Sequence, residues 1–337
     1  MKDFANPNNS YHGTRVMVLG ASGFIGRWVA RDLCRRGARV ALVVRDQRDA
    51  EPVFSLYDIR GDVCELDLQH FAAVGKLLKS VQPAIVFNLA GYGMDRAEVD
   101  DRTAYRINAH LLEVVIETLA KGSDSEWPGQ RIVHVGTALE YGTIGGSLSE
   151  NSLPNPTTLY GKSKLAGTQL LVNLCKAYGI KGLTARPFTV YGPGEARGRL
   201  LPSLLEAAKS QQSVRLTSGE QKRDFVYVED VSTGLLRLGI AHAAPGDIVN
   251  LATGRLTAVR VFAETAARIA GIPQDHLKFG EIPPLAEEMH HAEVAIERLG
   301  RLTAWIPPTG VAAGIQKTVD SMSIPSALST GWSSSQA

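Results

Sequence analysis

The chain is predicted to be an α/β protein with a doubly wound, mostly parallel sheet and a smaller C-terminal unit. Three observations carry this reading. Short strands rich in Val, Ile and Leu alternate with longer stretches of helical period along the chain. The first two strands are joined through a glycine turn and one helix within about 30 residues, the length of a βαβ unit. A long helical pattern, Tyr160 to Leu171, follows the fifth strand and precedes the sixth.

Composition bounds the answer. The 337 residues suffice for one large or two modest domains, and 44% are hydrophobic, enough for a full core. A net charge of +2 gives no reason to expect nucleic acid or an anionic membrane as a partner. Cys34, Cys64 and Cys175 are scattered, odd in number and without ligand spacing, which argues against a disulfide framework and a metal centre. Met1 to Thr14 is polar, and no run reaches the roughly 18 apolar residues of a membrane span. A cytoplasmic location is the default expectation, with residues 1–13 and 321–337 as flexible tails.

Taken in order, Arg15 to Leu19 is a short apolar strand that runs into Gly20-Ala21-Ser22-Gly23-Phe24-Ile25-Gly26. A helix follows through Trp28, Val29 and Leu33 and stops at Gly37; Ala38 to Val44 is the second strand. Glycines here permit a tight turn and a close backbone approach, and the helix start offers unpaired N–H groups to a phosphate. In this context the turn is a dinucleotide site, Gly20, Ser22, Gly23, Phe24, Ile25 and Gly26 forming it. The end of the second strand reads the ribose. An acid there favours NAD, and an arginine accommodates a 2′-phosphate. Val44 and Arg45 stand there, so NADP(H) is favoured and NAD(H) stays possible through Asp46. Further strands are Asp62 onward, Ala84 to Leu89, Arg131 to Gly136, Gly182 to Ala185 and Ile248 to Leu251, with a long amphipathic helix opening at Tyr105.

Tyr160 and Lys164 are four residues apart on a helix entered through Asn155-Pro156-Thr157-Thr158, so they project from one face. A phenol with a pKa of about 10 is a poor acid–base group at neutral pH unless a neighbouring cation lowers it. Lys164 is such a cation. His134, in an apolar strand, reads as an ordinary buried histidine. Gly161-Lys162-Ser163 lacks the leading glycine of a phosphate loop, and Glu287 to His291 has no spacing of a ligand set.

The Gly-x-x-Gly-x-x-Gly turn together with Tyr-x-x-x-Lys resembles the extended short-chain dehydrogenase/reductase family of NAD(P)-dependent nucleotide-sugar epimerases, dehydratases and reductases, over roughly residues 14–320. The resemblance implies a Rossmann-type domain from 14–188 plus about 226–252, and a substrate domain from 189–225 plus 253–320. It implies that Asp67 and Leu68 line the adenine, that Leu89, Ala90 and Gly91 pass under the cofactor, and that Pro187 helps hold the nicotinamide. Thr137 becomes the catalytic hydroxyl beside Tyr160 and Lys164. Tyr92, Thr137, Thr189 and Arg223 become substrate contacts, Arg223 at a diphosphate, and Asn108 lies behind the site. Family dehydratases carry an acidic pair just after the hydroxyl; Ala138 and Leu139 stand there, and the alternation of a strand would turn Glu140 away. The implied activity is reduction of a 4-keto-6-deoxy sugar nucleotide. A 4-epimerase with tightly held cofactor is the alternative, ahead of a 4,6-dehydratase, a non-sugar ketoreductase or a non-catalytic NADP sensor. The resemblance also implies a homodimer through the helices after the fourth and fifth strands.

Overall fold

The computed structural model describes residues 10–94, 98–122, 127–283 and 291–323. Strand β1 (Arg15–Leu19) leads through the glycine turn into helix α1 (Phe24–Arg35) and back to β2 (Arg39–Val44). Then come α2 (Gln47–Leu56), β3 (Asp62–Glu65), α3 (Phe71–Val81) and β4 (Ile85–Asn88). Helices α4 (Asp101–Tyr105) and α5 (Leu111–Lys121) are joined by a π-helical turn, Arg106–His110. They precede β5 (Ile132–Val135), β6 (Gly146–Leu148), α6 (Leu159–Tyr178), β7 (Gly182–Pro187) and β8 (Thr189–Tyr191). The C-terminal part adds α7 (Leu200–Ser210), β9 (Val214–Leu216), β10 (Lys222–Tyr227), α8 (Val228–Ile240), β11 (Asp247–Leu251), β12 (Leu256–Ala258) and α9 (Val259–Ala270). It ends with β13 (Leu277–Phe279), β14 (His291–Val294), α10 (Glu297–Thr303) and α11 (Val311–Ser323).

Seven strands form one parallel sheet in the order β11-β7-β5-β4-β1-β2-β3. The order reverses between β1 and β4, which opens a crevice at their carboxyl ends. Alternation along the strands sorts side chains onto two faces. Val16, Val18, Leu42, Phe87, Val133 and Leu183 pack under α1 and α8, while Met17, Leu19, Val43, Val86 and Ile132 pack under α3, α5 and α6. A third core, with Leu201, Leu204, Phe225, Phe262 and Ile315, joins α7, α9 and α11 over the small sheet β12-β10-β8.

Three expectations change. Residues 10–13 are not a tail, because the Tyr11 ring is fully buried against Phe87 and Trp127 and its hydroxyl donates to Leu236 O at 2.6 Å. Burying such a ring stabilises by about 1.5–3 kcal/mol, which fixes the segment despite its polar neighbours. At the other end α11 runs on through Ser321 to Ser323. The helix expected from Tyr105 begins four residues earlier, since the Asp100 carboxylate caps it by accepting from the Thr103 N–H at 2.8 Å. Of the run Glu287 to His291, all but His291 lies outside the described residues. Among the described residues no group of His, Cys, Asp and Glu is arranged to hold a metal, and no helix is long and apolar enough to cross a membrane.

Candidate active site

The crevice at the β1/β4 switch is built for close approach. Gly20 sits at φ +76°, and a Cβ on Gly26 would fall 2.0 Å from the Gly20 carbonyl oxygen. Gly23 caps α1 with no side-chain oxygen, and the first turn carries no acid, so the helix start offers its N–H groups outward. That geometry fits a pyrophosphate. At the end of β2, Arg45 and Arg48 are exposed. The Asp46 carboxylate is engaged at the start of α2, accepting from the N–H groups of Arg48 (2.7 Å) and Asp49 (3.3 Å). Asp67 and Leu68 follow β3 half-buried, the Asp67 carboxylate accepting from the Gln69 N–H. Pro187 ends β7 and is buried.

Helix α6 brings Tyr160 and Lys164 to this crevice. Thr158 caps it by accepting from the Gly161 N–H at 3.0 Å. Small residues let it approach: a Cβ on Gly167 would strike the Asn108 carbonyl oxygen at 2.0 Å. Asn108, inside the π-turn, is fully buried. Its amide nitrogen donates to Tyr92 O (2.7 Å) and Ser163 Oγ (2.8 Å), and its oxygen accepts from the Tyr92 N–H (3.0 Å). It therefore ties the segment after β4 to α6. Lys164 is 2% exposed, and its Nζ donates to Ala90 O (3.1 Å) and Val135 O (2.9 Å). A Cβ on Gly91 would lie 3.6 Å from Nζ, and one on Gly93 3.7 Å from Tyr160 Cβ. Lys164 Nζ lies 5.9 Å from the centre of the Tyr160 ring.

The charge states differ from expectation. Desolvation raises the Tyr160 phenol above its ordinary value, Glu140 and Glu98 adding to this and Arg199 opposing it. Desolvation lowers Lys164 to about 8, with Glu140 opposing. The phenol is thus raised, not lowered as the expected effect of Lys164 would have it, with desolvation the largest cause and Lys164 not among the charges that shift it.

Thr137, 7% exposed, starts a short 3₁₀ turn, Ala138–Glu140, directly after β5. Its hydroxyl oxygen accepts from the Leu139 N–H at 3.2 Å, and its own N–H donates to Glu140 Oε1 at 2.9 Å. Strand alternation would turn Glu140 away. It is instead on a 3₁₀ turn and wholly buried. Its Oε2 accepts from Arg186 Nε at 2.8 Å, with Nη2 also 2.8 Å away. Burial alone would lower the Arg186 pKa, but Glu140 and Tyr141 outweigh it and raise it.

On the outer side, Tyr92 and Thr189 are half-buried, Thr189 opening β8 opposite Phe225 of β10. Arg223 is half-buried on β10, and burial brings it down to about 10. The Asp224 carboxylate accepts from Thr253 and the Arg255 N–H, and Asp230 from the Thr309 N–H. Sequence reasoning missed Glu98 and Arg199, whose charges reach Tyr160. It also missed Glu195, which stands 3.8 Å from Arg199 and is raised by burial to about 7. All three lie in loops, where no periodic pattern could have marked them.

Comparison with known proteins places the chain among relatives of the same fold. The chain is 33% identical over 273 residues to the dTDP-6-deoxy-L-talose 4-dehydrogenase (NAD(P)(+)) of Kitasatospora kifunensis, covering 77% of this chain and 80% of that protein. It is 27% identical to a UDP-glucose 4-epimerase of Mycolicibacterium smegmatis over 322 residues, 91% of this chain and 97% of the other. An epimerase structure from Methanothermobacter thermautotrophicus matches with a TM-score of 0.82 at 21% identity, over 95% of each chain. The Thermotoga maritima UDP-glucose 4-epimerase, solved with UDP-glucose, matches at 0.79 and 21% identity, over 92% of this chain and 98% of that one. The profile of the NAD dependent epimerase/dehydratase family matches residues 16–252, a stretch running from β1 through β11 and containing the glycine turn and the Tyr160 helix, and the chain belongs to that enzyme family.

Proposed function

We propose that the protein is an NADP(H)-dependent reductase of a nucleotide-activated 4-keto-6-deoxy-hexose. The observation that carries this is the fate of Glu140. It is the acid nearest the Thr137 hydroxyl in sequence, and it is spent on Arg186 and the Thr137 N–H. An elimination needs an acid and a base beside the sugar, whereas a ketone reduction needs one proton donor and one polarising hydroxyl.

In this reading the cofactor, when bound, supplies the hydride. Gly20, Ser22, Gly23, Phe24, Ile25 and Gly26 hold the pyrophosphate, Arg45 the 2′-phosphate, and Asp67 and Leu68 the adenine. Lys164 holds the nicotinamide ribose over Leu89, Ala90 and Gly91, with Pro187 on the ring. Thr137 donates a hydrogen bond to the sugar carbonyl oxygen, and Tyr160 gives that oxygen its proton. A phenol raised above its ordinary value stays protonated through the working range, which suits an acid. Tyr92, Thr189 and Arg223 contact the sugar nucleotide, Arg223 through forked bonds to the diphosphate. The reading divides the chain into a cofactor unit (14–188 plus about 226–252) and a substrate unit (189–225 plus 253–320), and makes it a homodimer through α5 and α6.

A second reading, a 4-epimerase that keeps its cofactor, is supported by the 27% identical relative that spans 91% of the chain and carries that name. Mixing the protein with NADPH or NADH and a nucleoside-diphosphate 4-keto-6-deoxy-hexose tests the first, and incubating it with a nucleoside-diphosphate hexose that carries a C4 hydroxyl tests the second. The reductase reading expects NADPH to be consumed one for one with ketone. Interconversion of 4-epimers without net cofactor consumption supports the epimerase instead.

A further inference from the structure

A row of polar side chains crosses the otherwise apolar sheet face beneath α6. Asn88 of β4 is in register with His134 of β5, and His134 with Thr184 of β7. Each of the three is fully buried. Alternation puts them on the face of Val86, Ile132 and Gly182, which α6 covers: a Cβ on Gly182 would meet Ile132 and Cys175. Thr168, 1% exposed, lies seven residues before Cys175 and four after Lys164 on that helix, so it faces the same layer.

The hydrogen bonds in this row have a direction. Asn88 Oδ1 accepts from the Ala90 N–H at 3.3 Å, so its Nδ2 faces His134 Nδ1, 3.2 Å away, and donates to it. Nδ1 is then an acceptor, and the imidazole carries its proton on Nε2. Desolvation and the Lys164 charge together keep this ring neutral. Both carbonyls that grip Lys164 flank the pair, Ala90 lying two residues after Asn88 and Val135 directly after His134. Among the described residues, His134 Nε2, Thr168 Oγ1 and Thr184 Oγ1 are buried and have no protein hydrogen-bond partner. Three such groups in one layer are costly unless something polar joins them, and a water is the size and chemistry that does so.

We propose that His134 is a positioning residue for Lys164, locked by Asn88 on one side and on the other by a buried water shared with Thr168 and Thr184. The pair cross-links β4 and β5 at the two carbonyls that hold the ammonium. The water accepts from Nε2–H and serves both hydroxyls. Among the described residues, and besides His134, the charged and titratable groups that act on or contact Lys164 are Tyr160 on its own helix and Glu140 on the 3₁₀ turn, the latter paired to Arg186.

The role toward Lys164 rests on the cofactor reading above; the water site does not. The first measurement is thermal melting of Thr184→Val and Thr168→Val in the full chain. If a water joins these hydroxyls, each variant melts lower, by about 2–4 °C. If the hydroxyls are dry, a methyl in place of an unsatisfied oxygen leaves the melting point unchanged or raises it, and the water site is overturned. The second measurement is the pH dependence of NADP(H) binding, followed by fluorescence, for wild type and His134→Phe. Splayed carbonyls stabilise the ammonium less, so the limb belonging to Lys164 moves to lower pH and affinity at neutral pH falls about tenfold, the size of one charge-assisted hydrogen bond. A His134→Phe protein that melts lower but keeps the wild-type limb contradicts the positioning role. A wild type that binds neither NADP(H) nor NAD(H) sinks the cofactor reading, while the melting test still decides the water site.

Discussion

Glu140→Gln is the most informative perturbation of the scaffold. The carboxylate and Arg186 are 0% and 1% exposed, and the pair is held at 2.8 Å. Removing one charge of a buried pair costs about 3–5 kcal/mol, because the other is left uncompensated. Glutamine keeps an acceptor oxygen for Arg186 Nε but turns an NH2 donor toward the Thr137 N–H donor, so that bond is lost too and about 3 kcal/mol is a lower bound. At about 2–4 °C per kcal/mol the melting point should fall by roughly 6 °C or more. The same variant removes the charge that raises Lys164, so the Lys164 titration should move below its present value of about 8. Circular dichroism melts and urea titrations read the first effect, and the pH dependence of cofactor binding reads the second. The double variant Glu140→Gln/Arg186→Met should recover most of the lost stability, since no buried charge remains unpaired. A single variant that melts with the wild type would refute the view that this pair holds the 3₁₀ turn.

Arg45→Ala should weaken NADP binding far more than NAD binding in calorimetric titrations; equal losses, or tighter binding of NAD by the wild type, remove the NADP preference. Arg223→Ala should raise the KM for the sugar nucleotide and spare NADPH affinity, at about 1.5–3 kcal/mol for a lost charge-assisted bond; an unchanged KM makes Arg223 structural. Lys164→Met tests the depressed lysine by linkage. Lys164 falls from an ordinary 10.5 to about 8 on folding. Between those values the unfolded chain binds more protons, so the Lys164 contribution to stability rises with pH, by at most about 1.4 kcal/mol per unit. The stability of wild type relative to Lys164→Met should climb from pH 8 upward, and a flat difference contradicts a buried, depressed lysine.

What was legible in the chain is what depends on neighbours in sequence. The glycine turn between β1 and α1 announces itself because only glycine tolerates the approach of residues 20 and 26. Tyr160 and Lys164 share a face because a helix has a period of 3.6. What was not legible depends on partners far along the chain. Glu140 could be placed only with Arg186, 46 residues later, and a 3₁₀ turn has no alternation to read. Tyr11 is fixed by Leu236, 225 residues away. The shift of Tyr160 is a burial effect that no spacing of charges expresses. His134 reads as one polar residue in an apolar strand, and its meaning comes from the register that sets Asn88 and Thr184 beside it.

The central claim is that Tyr160 delivers the proton in an NADP(H)-dependent ketone reduction. It is tested most directly by rapid mixing of NADPH and a nucleoside-diphosphate 4-keto-6-deoxy-hexose with wild type and Tyr160→Phe, following nicotinamide oxidation. The exchange removes a hydroxyl and keeps the ring, so folding and NADPH affinity should hold while the rate falls about 10²–10⁴-fold, the worth of a positioned acid. A folded Tyr160→Phe protein that oxidises NADPH at the wild-type rate would contradict the account.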